Sequence, residues 1–318
     1  MVPELHAPIP PRSAAPAGEE ELTGQELLHW RRGQLALGGA AADFDWLLDL
    51  AGGIPWSRLQ ACRLHPERRI SLDRSREAIA SLWRRHLEGH LPLQYLIGRC
   101  PWRDLDLVVA PGVLIPRQET ELLVDVALAG LPAARRSAPL RWADLGTGSG
   151  CLAVALARAL PSGRGIAVDI SSEALAIAER NLQRAQVADR VSLLQGSWWL
   201  PLQPWWGRLD LVVANPPYIP SALVGQLDPV VRDQEPRCAL DGGEDGLAPI
   251  RAVVAGAPLG LAPGGRVVLE HHHDQSEAVL SLLSGAGLTE VRHHPDIEGV
   301  RRFASARRAP SGGDCRPA

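Results

Sequence analysis

The sequence contains no lysine; all 33 of its basic residues are arginines. Each fixed cation is therefore a planar fork suited to carboxylate or phosphate, although a bias in genomic base composition would leave the same mark. Ten tryptophans stand beside only two tyrosines, two phenylalanines and one methionine. Cysteine is scarce, odd in number and unpaired in spacing: Cys62, Cys100, Cys151, Cys238 and Cys315 form no CxxC. That excludes a disulfide framework and a cysteine-based zinc site, and it suits a reducing cytoplasm. No apolar run approaches the roughly 18 residues of a membrane span. Residues 1–18, rich in Pro and Ala, lack the continuous apolar core of a secretory signal. Neither sign of charge dominates: 33 basic against 36 acidic residues leave −3. A near-neutral chain is not built around a large nucleic-acid footprint, though a local groove remains open. At 318 residues with 46% hydrophobic side chains, the chain can fill one large domain or two modest ones.

The organisation follows from pattern. Residues 1–18 and 305–318 read as disordered tails, too poor in apolar surface to offset ordering entropy. Residues 19–90 read as a helical bundle. Thr23-Gly24-Gln25-Glu26 fits a capping box. Asp43 or Asp45 opens a second helix, and Ile79, Leu82, Trp83 and Leu87 make one apolar face of a third, which Gly89 stops. Trp30, Trp46, Trp56 and Trp83 are its expected core. Ten arginines against eleven acids over this stretch suit a segment that binds a partner or covers a cleft, and not a DNA-docking head. Residues 91–115 read as a hairpin linker, with Leu105, Leu107 and Val109 on one strand, a Pro111-Gly112 turn, and Leu114-Ile115 on the return. From 116 to 304 apolar runs at 140–145, 165–170, 191–194, 209–214 and 266–270 alternate with helical stretches near 120–130, 151–160, 172–186, 247–260 and 275–286. Such alternation predicts an α/β domain with a mostly parallel sheet.

Two motifs carry chemistry. Asp144-Leu145-Gly146-Thr147-Gly148-Ser149-Gly150 joins the first of these strands to a helix, where glycines let the backbone turn and approach a ligand. The spacing is GxGxG and not the GxGxxG of dinucleotide folds, and Asp169 at the end of the next strand is placed to accept from both hydroxyls of a ribose. S-adenosyl-L-methionine binding is the leading reading; NAD binding and a purely structural glycine turn are the alternatives. Asn215-Pro216-Pro217-Tyr218 ends the strand 209–214, in the crevice where parallel sheets hold ligands. The Asn oxygen can accept from an –NH2 group, the Pro216 carbonyl can take its second hydrogen, and two prolines keep the ledge stiff. Tyr218 offers a flat face to a planar substrate. The group best matched is a planar amine conjugated to a carbonyl or a ring, positioned for methyl transfer without a strong base.

Taken with their surroundings, these motifs resemble the protein-(glutamine-N5) methyltransferases that act on peptide-chain release factors, known as PrmC or HemK. The resemblance covers roughly residues 22–304. It extends to Pro92-Leu93-Gln94-Tyr95-Leu96-Ile97-Gly98, to Val113-Leu114-Ile115-Pro116-Arg117-Gln118-Glu119-Thr120-Glu121, and to Glu235-Pro236-Arg237, Ala239-Leu240, Gly242-Gly243 and Asp245-Gly246-Leu247. It implies a seven-stranded, mostly parallel, Rossmann-like methyltransferase sheet preceded by a helical domain that recognises the release factor. The implied reaction methylates the glutamine side-chain amide of a Gly-Gly-Gln motif. Residue by residue, cofactor binding falls on Gly146, Thr147, Gly148, Ser149, Gly150, Asp169, Trp198 and Asn215. The substrate amide falls on Asn215, Pro216, Pro217 and Tyr218, with Asn215, Pro216 and Tyr218 catalytic. The implied partners are class 1 release factors; no membrane and no direct nucleic-acid contact is required, and a cytoplasmic monomer is the default.

The chain departs from the family pattern at three places. Gln118 replaces a proline, Ser197 replaces an acid before Trp198, and Glu270-His271-His272-His273 replaces Glu-His-Gly, so His272 is strained if that glycine had a positive φ. The histidine run has no metal-ligand spacing, because strand neighbours point to opposite faces, and no metal is expected. Arg68-Arg69, Arg84-Arg85 and Arg135-Arg136 read as solvated faces, or else as contacts to an acidic release factor or to ribosomal RNA carried with it. Trp205-Trp206 is placed to cap the connection between the third and fourth strands, and Cys151 reads as small-residue helix packing. Rival functions are an amino methyltransferase for adenine in DNA or guanine in ribosomal RNA, and a cofactor-binding scaffold that does not turn over.

Overall fold

The computed structural model describes residues 20–131 and 136–310. The expected tail 1–18, residues 311–318 of the second tail, and Arg135 lie outside the described residues. The chain divides into two units. One holds the described residues up to Arg99 together with Pro229–Gln234; the other holds Cys100–Asp228 and the chain from Glu235 onward. Among the described residues no helix is long and apolar enough to cross a membrane.

The first unit is helical with one addition. Helix Gly24–Leu35 starts at the capping box: the Glu26 N–H donates to Thr23 Oγ1 at 3.2 Å and the Thr23 N–H to Glu26 Oε2 at 2.7 Å. Just before it, β1 (Glu20–Thr23) pairs antiparallel with β2 (Arg69–Leu72). Strands of four residues are too short to show a period, so the all-helical expectation missed them. Helix Ala41–Gly52 begins after Ala40, not at Asp43 or Asp45. Asp43 sits in its first turn, where a negative charge suits the helix dipole, and Asp45 accepts from Arg31 Nε at 2.5 Å. Helix Arg76–Gly89 is capped by Ser75 and ends one residue later than expected: Gly89 is still helical, and His90 takes the left-handed position at φ 50°. Trp83 is fully buried, with Phe44 at 5.1 Å and His86 at 5.2 Å between ring centroids. Trp30 and Trp46 pack partly buried against this core. Trp56 corrects the expectation: it is 60% exposed, with the Arg63 guanidinium over its ring at 5.5 Å. Arg68, Arg69, Arg84, Arg85 and Arg136 are exposed.

The second unit begins within a hairpin, β3 (Arg99–Trp102) and β4 (Leu105–Val108). Leu114-Ile115 is not its return strand. The Ile115 N–H donates at 3.2 Å to a Glu235 carboxylate oxygen instead of to a neighbouring strand. Seven strands then form one sheet in the order β10-β11-β9-β8-β5-β6-β7. These are β5 (Arg141–Leu145), β6 (Arg164–Asp169), β7 (Val191–Gln195), β8 (Leu209–Ala214), β9 (Leu261–Glu270), β10 (Thr289–Pro295) and β11 (Arg301–Arg307). All neighbours are parallel except at β11, which runs against both β9 and β10. Both faces are covered, so the strands read as continuous apolar runs. Trp142, Leu211, Val213 and Val268 point into one core with helices Glu121–Ala129 and Cys151–Ala159. Their neighbours Ala143, Val212 and Val267 point into the other with helices Ala248–Gly260 and Ser276–Gly285. β11 keeps its register with β9 through Arg307, so residues 305–307, expected in the tail, are strand. Arg266 and Arg307 donate to the carbonyls of Val126 (2.9 Å) and Gly130 (2.5 Å), capping the end of helix Glu121–Ala129. The chain leaves β5 toward β6 on one side and returns as β8 on the other. That reversal opens a crevice at the carboxyl ends of these strands.

Candidate active site

The glycine loop is shaped by its backbone. Gly146, Gly148 and Gly150 have φ of 73°, 55° and 80°, in the left-handed region that side chains resist. At Gly150 space is decisive as well, since a Cβ there would meet Ala178 Cβ at 3.0 Å and its Cα at 3.1 Å. The N–H groups of Gly146 and Thr147 donate to the Val168 carbonyl at 2.8 and 2.9 Å, pinning the loop to β6. Asp169, at the end of β6, accepts from the Gly148 N–H (2.8 Å) through one carboxylate oxygen and from the Ser171 N–H (3.0 Å) through the other. Each oxygen keeps a lone pair, so the pair can still accept from hydroxyls of a ligand. Under the loop lies Asp144, fully buried, with Oδ2 accepting from Thr147 Oγ1 at 2.6 Å and Oδ1 without a partner. Burial, with Asp169 nearby, pushes its carboxyl up to about 7.

The loop forms one wall of a cleft of ≈ 260 Å³. Gly146, Thr147, Gly148, Ser149, Asp169, Trp198, Asn215 and Pro217 all line it. Trp198 enters it because its φ of 47° turns it away from Trp199, which is buried and donates to the Val253 carbonyl. The Trp198 ring lies over Gly146, where a Cβ would come within 3.2 Å of it. Three expected site residues do not line the cleft. Gly150 is buried at the start of helix Cys151–Ala159, and Pro216 is buried. Tyr218 packs its ring on the core shared with Val212 and Val267, and its hydroxyl lies 3.4 Å from Glu270 Oε1. The residues present suit a nucleoside carrying a sulfonium: bare glycine backbone, a carboxylate with free lone pairs, an indole face and apolar flanks from Val113 and Leu114.

Asn215 follows the last residue of β8, half-buried, and its Nδ2 lies 3.0 Å from Thr120 Oγ1. The loop after it rests on the 235–247 segment. Ile219 accepts from the Gly242 N–H (2.8 Å), and the Tyr218 carbonyl accepts from Gln275 Nε2 (2.9 Å). A Cβ on Gly242 would meet the Gly246 carbonyl at 2.6 Å, so only glycine lets this support close up. At the other end of the same segment, buried Glu235 accepts from Arg117 at 2.7 Å. Burial pushes the Glu235 carboxyl above its usual range, against the pull of Arg117. Sequence reasoning named these segments but not the interior roles of Thr120, Glu235, Glu270 and Asp144. Thr120 and Glu235 lie within the quoted motifs, yet nothing in a string of residues shows that their side chains are buried together with others.

His272 has φ −67°, so the feared strain is absent: extended backbone serves there without glycine. His271 is buried and hydrogen-bonded to the His272 carbonyl, while His272 turns to Asp274 at 2.6 Å. Among the described residues no group of three or more His, Cys, Asp or Glu could hold a metal ion. Trp205 and Trp206 close the turn Leu200–Trp205 between β7 and β8, the first packed on the core and the second 40% exposed. Cys151 is buried under the loop.

Residues 120–225 match the methyltransferase small domain family. Over 290 residues the chain is 52% identical to a release factor glutamine methyltransferase of Prochlorococcus marinus, covering 91% of this chain and 99% of that protein. It is 41% identical over 288 residues to the release factor glutamine methyltransferase of Geobacter sulfurreducens (90% and 96%). To that of Synechocystis sp. it is 38% identical over 296 residues (90% and 97%).

Proposed function

The chain belongs to the release factor glutamine methyltransferase family, and on that premise we propose how its own residues perform the reaction. It methylates the side-chain amide nitrogen of the glutamine in the Gly-Gly-Gln motif of class 1 release factors, with S-adenosyl-L-methionine as cofactor. When bound, the cofactor supplies an electrophilic methyl on a sulfonium. Gly146, Thr147, Gly148, Ser149 and Gly150 give it a backbone cradle, Asp169 takes its ribose hydroxyls, and Trp198 flanks its adenine. Asn215 Oδ1 and the Pro216 carbonyl accept the two amide hydrogens. An amide nitrogen is a poor nucleophile because its lone pair is delocalised, so holding it in line, with acceptors ready for the positive charge that develops, is the main work of the site. Pro216 and Pro217 hold that ledge stiff. Tyr218, packed on the core behind the ledge, braces it. The helical segment 19–90 recognises the release factor, 91–115 links it to the methyltransferase domain, and the enzyme works as a cytoplasmic monomer without a nucleic-acid partner.

The observation that carries this reading is the placement of Asn215 in one cleft with the glycine loop and Asp169. Transfer of tritiated methyl to release factor, with DNA and RNA present as competitors, tests it: label on nucleic acid and none on release factor overturns it. For Asn215→Ala, cofactor affinity stays within a few-fold while kcat falls about 10²–10³-fold, as when one preorganised hydrogen-bonding group is removed. An unchanged rate removes Asn215 from the mechanism.

A further inference from the structure

A second cavity, of ≈ 250 Å³, lies in the methyltransferase unit at the carboxyl end of helix Glu121–Ala129. It shares no lining residue with the active-site cleft. Thr120, at the other end of that helix, lines the cleft, so roughly 13 Å of helix separates the two. The cavity takes its walls from one face of β9, β11 and β10. Arg266 of β9 stands directly across from Arg307 of β11, and Ser305 of β11 from Arg292 of β10. All four line the cavity, together with His294.

The charge gathered there is unbalanced. Like charges directly opposite one another on a ladder repel, and Arg266 and Arg307 are so placed. Arg266 is only 7% exposed, and a buried charge is costly unless it is paired. Its side-chain hydrogen bonds among the described residues go to neutral groups: the Val126 carbonyl at 2.9 Å, Ser305 Oγ at 2.9 Å and His294 Nε2 at 3.4 Å. Among the described residues no carboxylate pairs with Arg266 or with the exposed Arg292; Glu290 pairs with Arg307, at 3.2 Å, and is itself 60% exposed. Burial, with Arg307 and Arg292 nearby, pulls the Arg266 guanidinium down to about 10, so it is still charged at neutral pH. Burial, with Arg266, His293 and Arg292 nearby, holds His294 down to about 4, so the imidazole adds no charge of its own. Capping the helix does not account for three arginines. A helix end carries about half a negative charge; with Glu290 it leaves about one and a half positive charges uncompensated. Room is kept for the buried fork as well: a Cβ on Gly130 would overlap the Arg266 guanidinium.

We propose that this cavity binds a phosphate dianion, free or as the phosphomonoester of a small molecule, with Arg266 at its floor and Arg292 and Arg307 at its mouth. Guanidinium forks match phosphate oxygens two at a time. An excess above one positive charge favours a dianion over a carboxylate or a nucleic-acid phosphodiester, which carry one charge each. Three arginines converging on one hollow, and not strung along a stripe, suit a compact ligand. Ser305 Oγ, 2.9 Å from His294 Nε2, holds the Arg266 fork in place. The site stands apart from methyl transfer and does not depend on it.

The test titrates the full chain by calorimetry with inorganic phosphate, glycerol 3-phosphate, acetate and a short single-stranded RNA, at one ionic strength held with chloride. Phosphate or glycerol 3-phosphate binds with a Kd at or below about 1 mM, and acetate and RNA bind at least about tenfold more weakly. Tighter binding of glycerol 3-phosphate marks a phosphorylated small molecule as the source; tighter binding of inorganic phosphate marks the free ion. Arg292→Ala raises the Kd of the better ligand about tenfold or more, the scale of one charge-assisted hydrogen bond. The same variant keeps cofactor affinity within about twofold, as a surface change does. Arg68→Ala, an exposed arginine of the other unit, leaves phosphate affinity unchanged. Phosphate also raises the urea midpoint of the wild type by mass action, and Arg266→Met loses that rise. The proposal is overturned by no binding of either phosphate ligand up to about 10 mM, by Arg292→Ala binding as tightly as wild type, or by acetate or RNA binding as tightly as phosphate. If Arg266→Met does not fold, Arg292→Ala decides alone.

Discussion

Asp144 should make the methyltransferase unit lose stability as the pH rises, and Asp144→Asn should remove that loss. The carboxyl is fully buried and is pushed from an ordinary 3.8 up to about 7, chiefly by burial and further by Asp169. The folded state therefore holds the proton more tightly than the unfolded one. The resulting penalty is absent below about pH 4, grows through the window between the two values, and is complete above about 7, where it is on the order of 4 kcal/mol. Asparagine keeps the shape and the acceptor for Thr147 Oγ1, which now donates at 2.6 Å. It places an uncharged –NH2 where the unpartnered Oδ1 stood, at a pH-independent cost of about 1–3 kcal/mol. Unfolding in urea at pH 5 and pH 8, followed by hydrogen exchange of β5 and β8 peptides, reads this unit separately from the other. Relative to wild type, the variant should gain about 2–3 kcal/mol between the two pH values. The Glu270 carboxyl, pushed up to about 7 by burial, is present in both proteins, so its share cancels. A stability difference that stays flat from pH 5 to 8 would show that Asp144 is not a buried titrating acid and that the account of the loop's interior is wrong.

Gly150→Ala should cost about 1–3 kcal/mol and weaken cofactor binding, because φ 80° is unfavourable to a side chain and Ala178 leaves no room; urea midpoints and calorimetry check both, and full stability would contradict the loop geometry. Among the described cysteines, Cys238 is exposed and lines the cleft, whereas Cys62, Cys100 and Cys151 are buried. Burial pushes the Cys100 thiol up to about 12 and raises those of Cys62 and Cys151. Brief maleimide labelling read by peptide mass spectrometry should mark Cys238 ahead of the other three, and S-adenosyl-L-methionine should slow it. Equal labelling of Cys151 would mean that the loop opens in solution.

The parts of the fold that were legible are those whose signal is local. Apolar runs marked β5 to β9 because both sheet faces are covered. The Thr23 capping box is contained in four residues. β10 was invisible for the opposite reason: Arg292, His293 and Pro295 are exposed along it, so it has no apolar face to read. β1 and β2 are four residues each and pair Glu20 with Leu72, far apart in the sequence. Tryptophan composition misled at Trp56, since an indole with an arginine guanidinium over its face is stable at the surface. The Glu-His-Gly departure looked costly only because a positive φ was assumed for a residue that is extended here.

The candidate site divides along the same line. Glycines where φ must be positive, an acid closing the next strand, and a stiff Asn-Pro-Pro ledge are written in contiguous residues, because their chemistry depends on backbone shape within one turn. The environment of those residues is not. Thr120 lies 95 positions from Asn215, Glu270 lies 52 from Tyr218, and Glu235 lies 118 from Arg117. Which carboxyl loses its water, and which hydroxyl it then commands, is settled only when distant strands close over it, because desolvation belongs to the packed interior and not to any single segment.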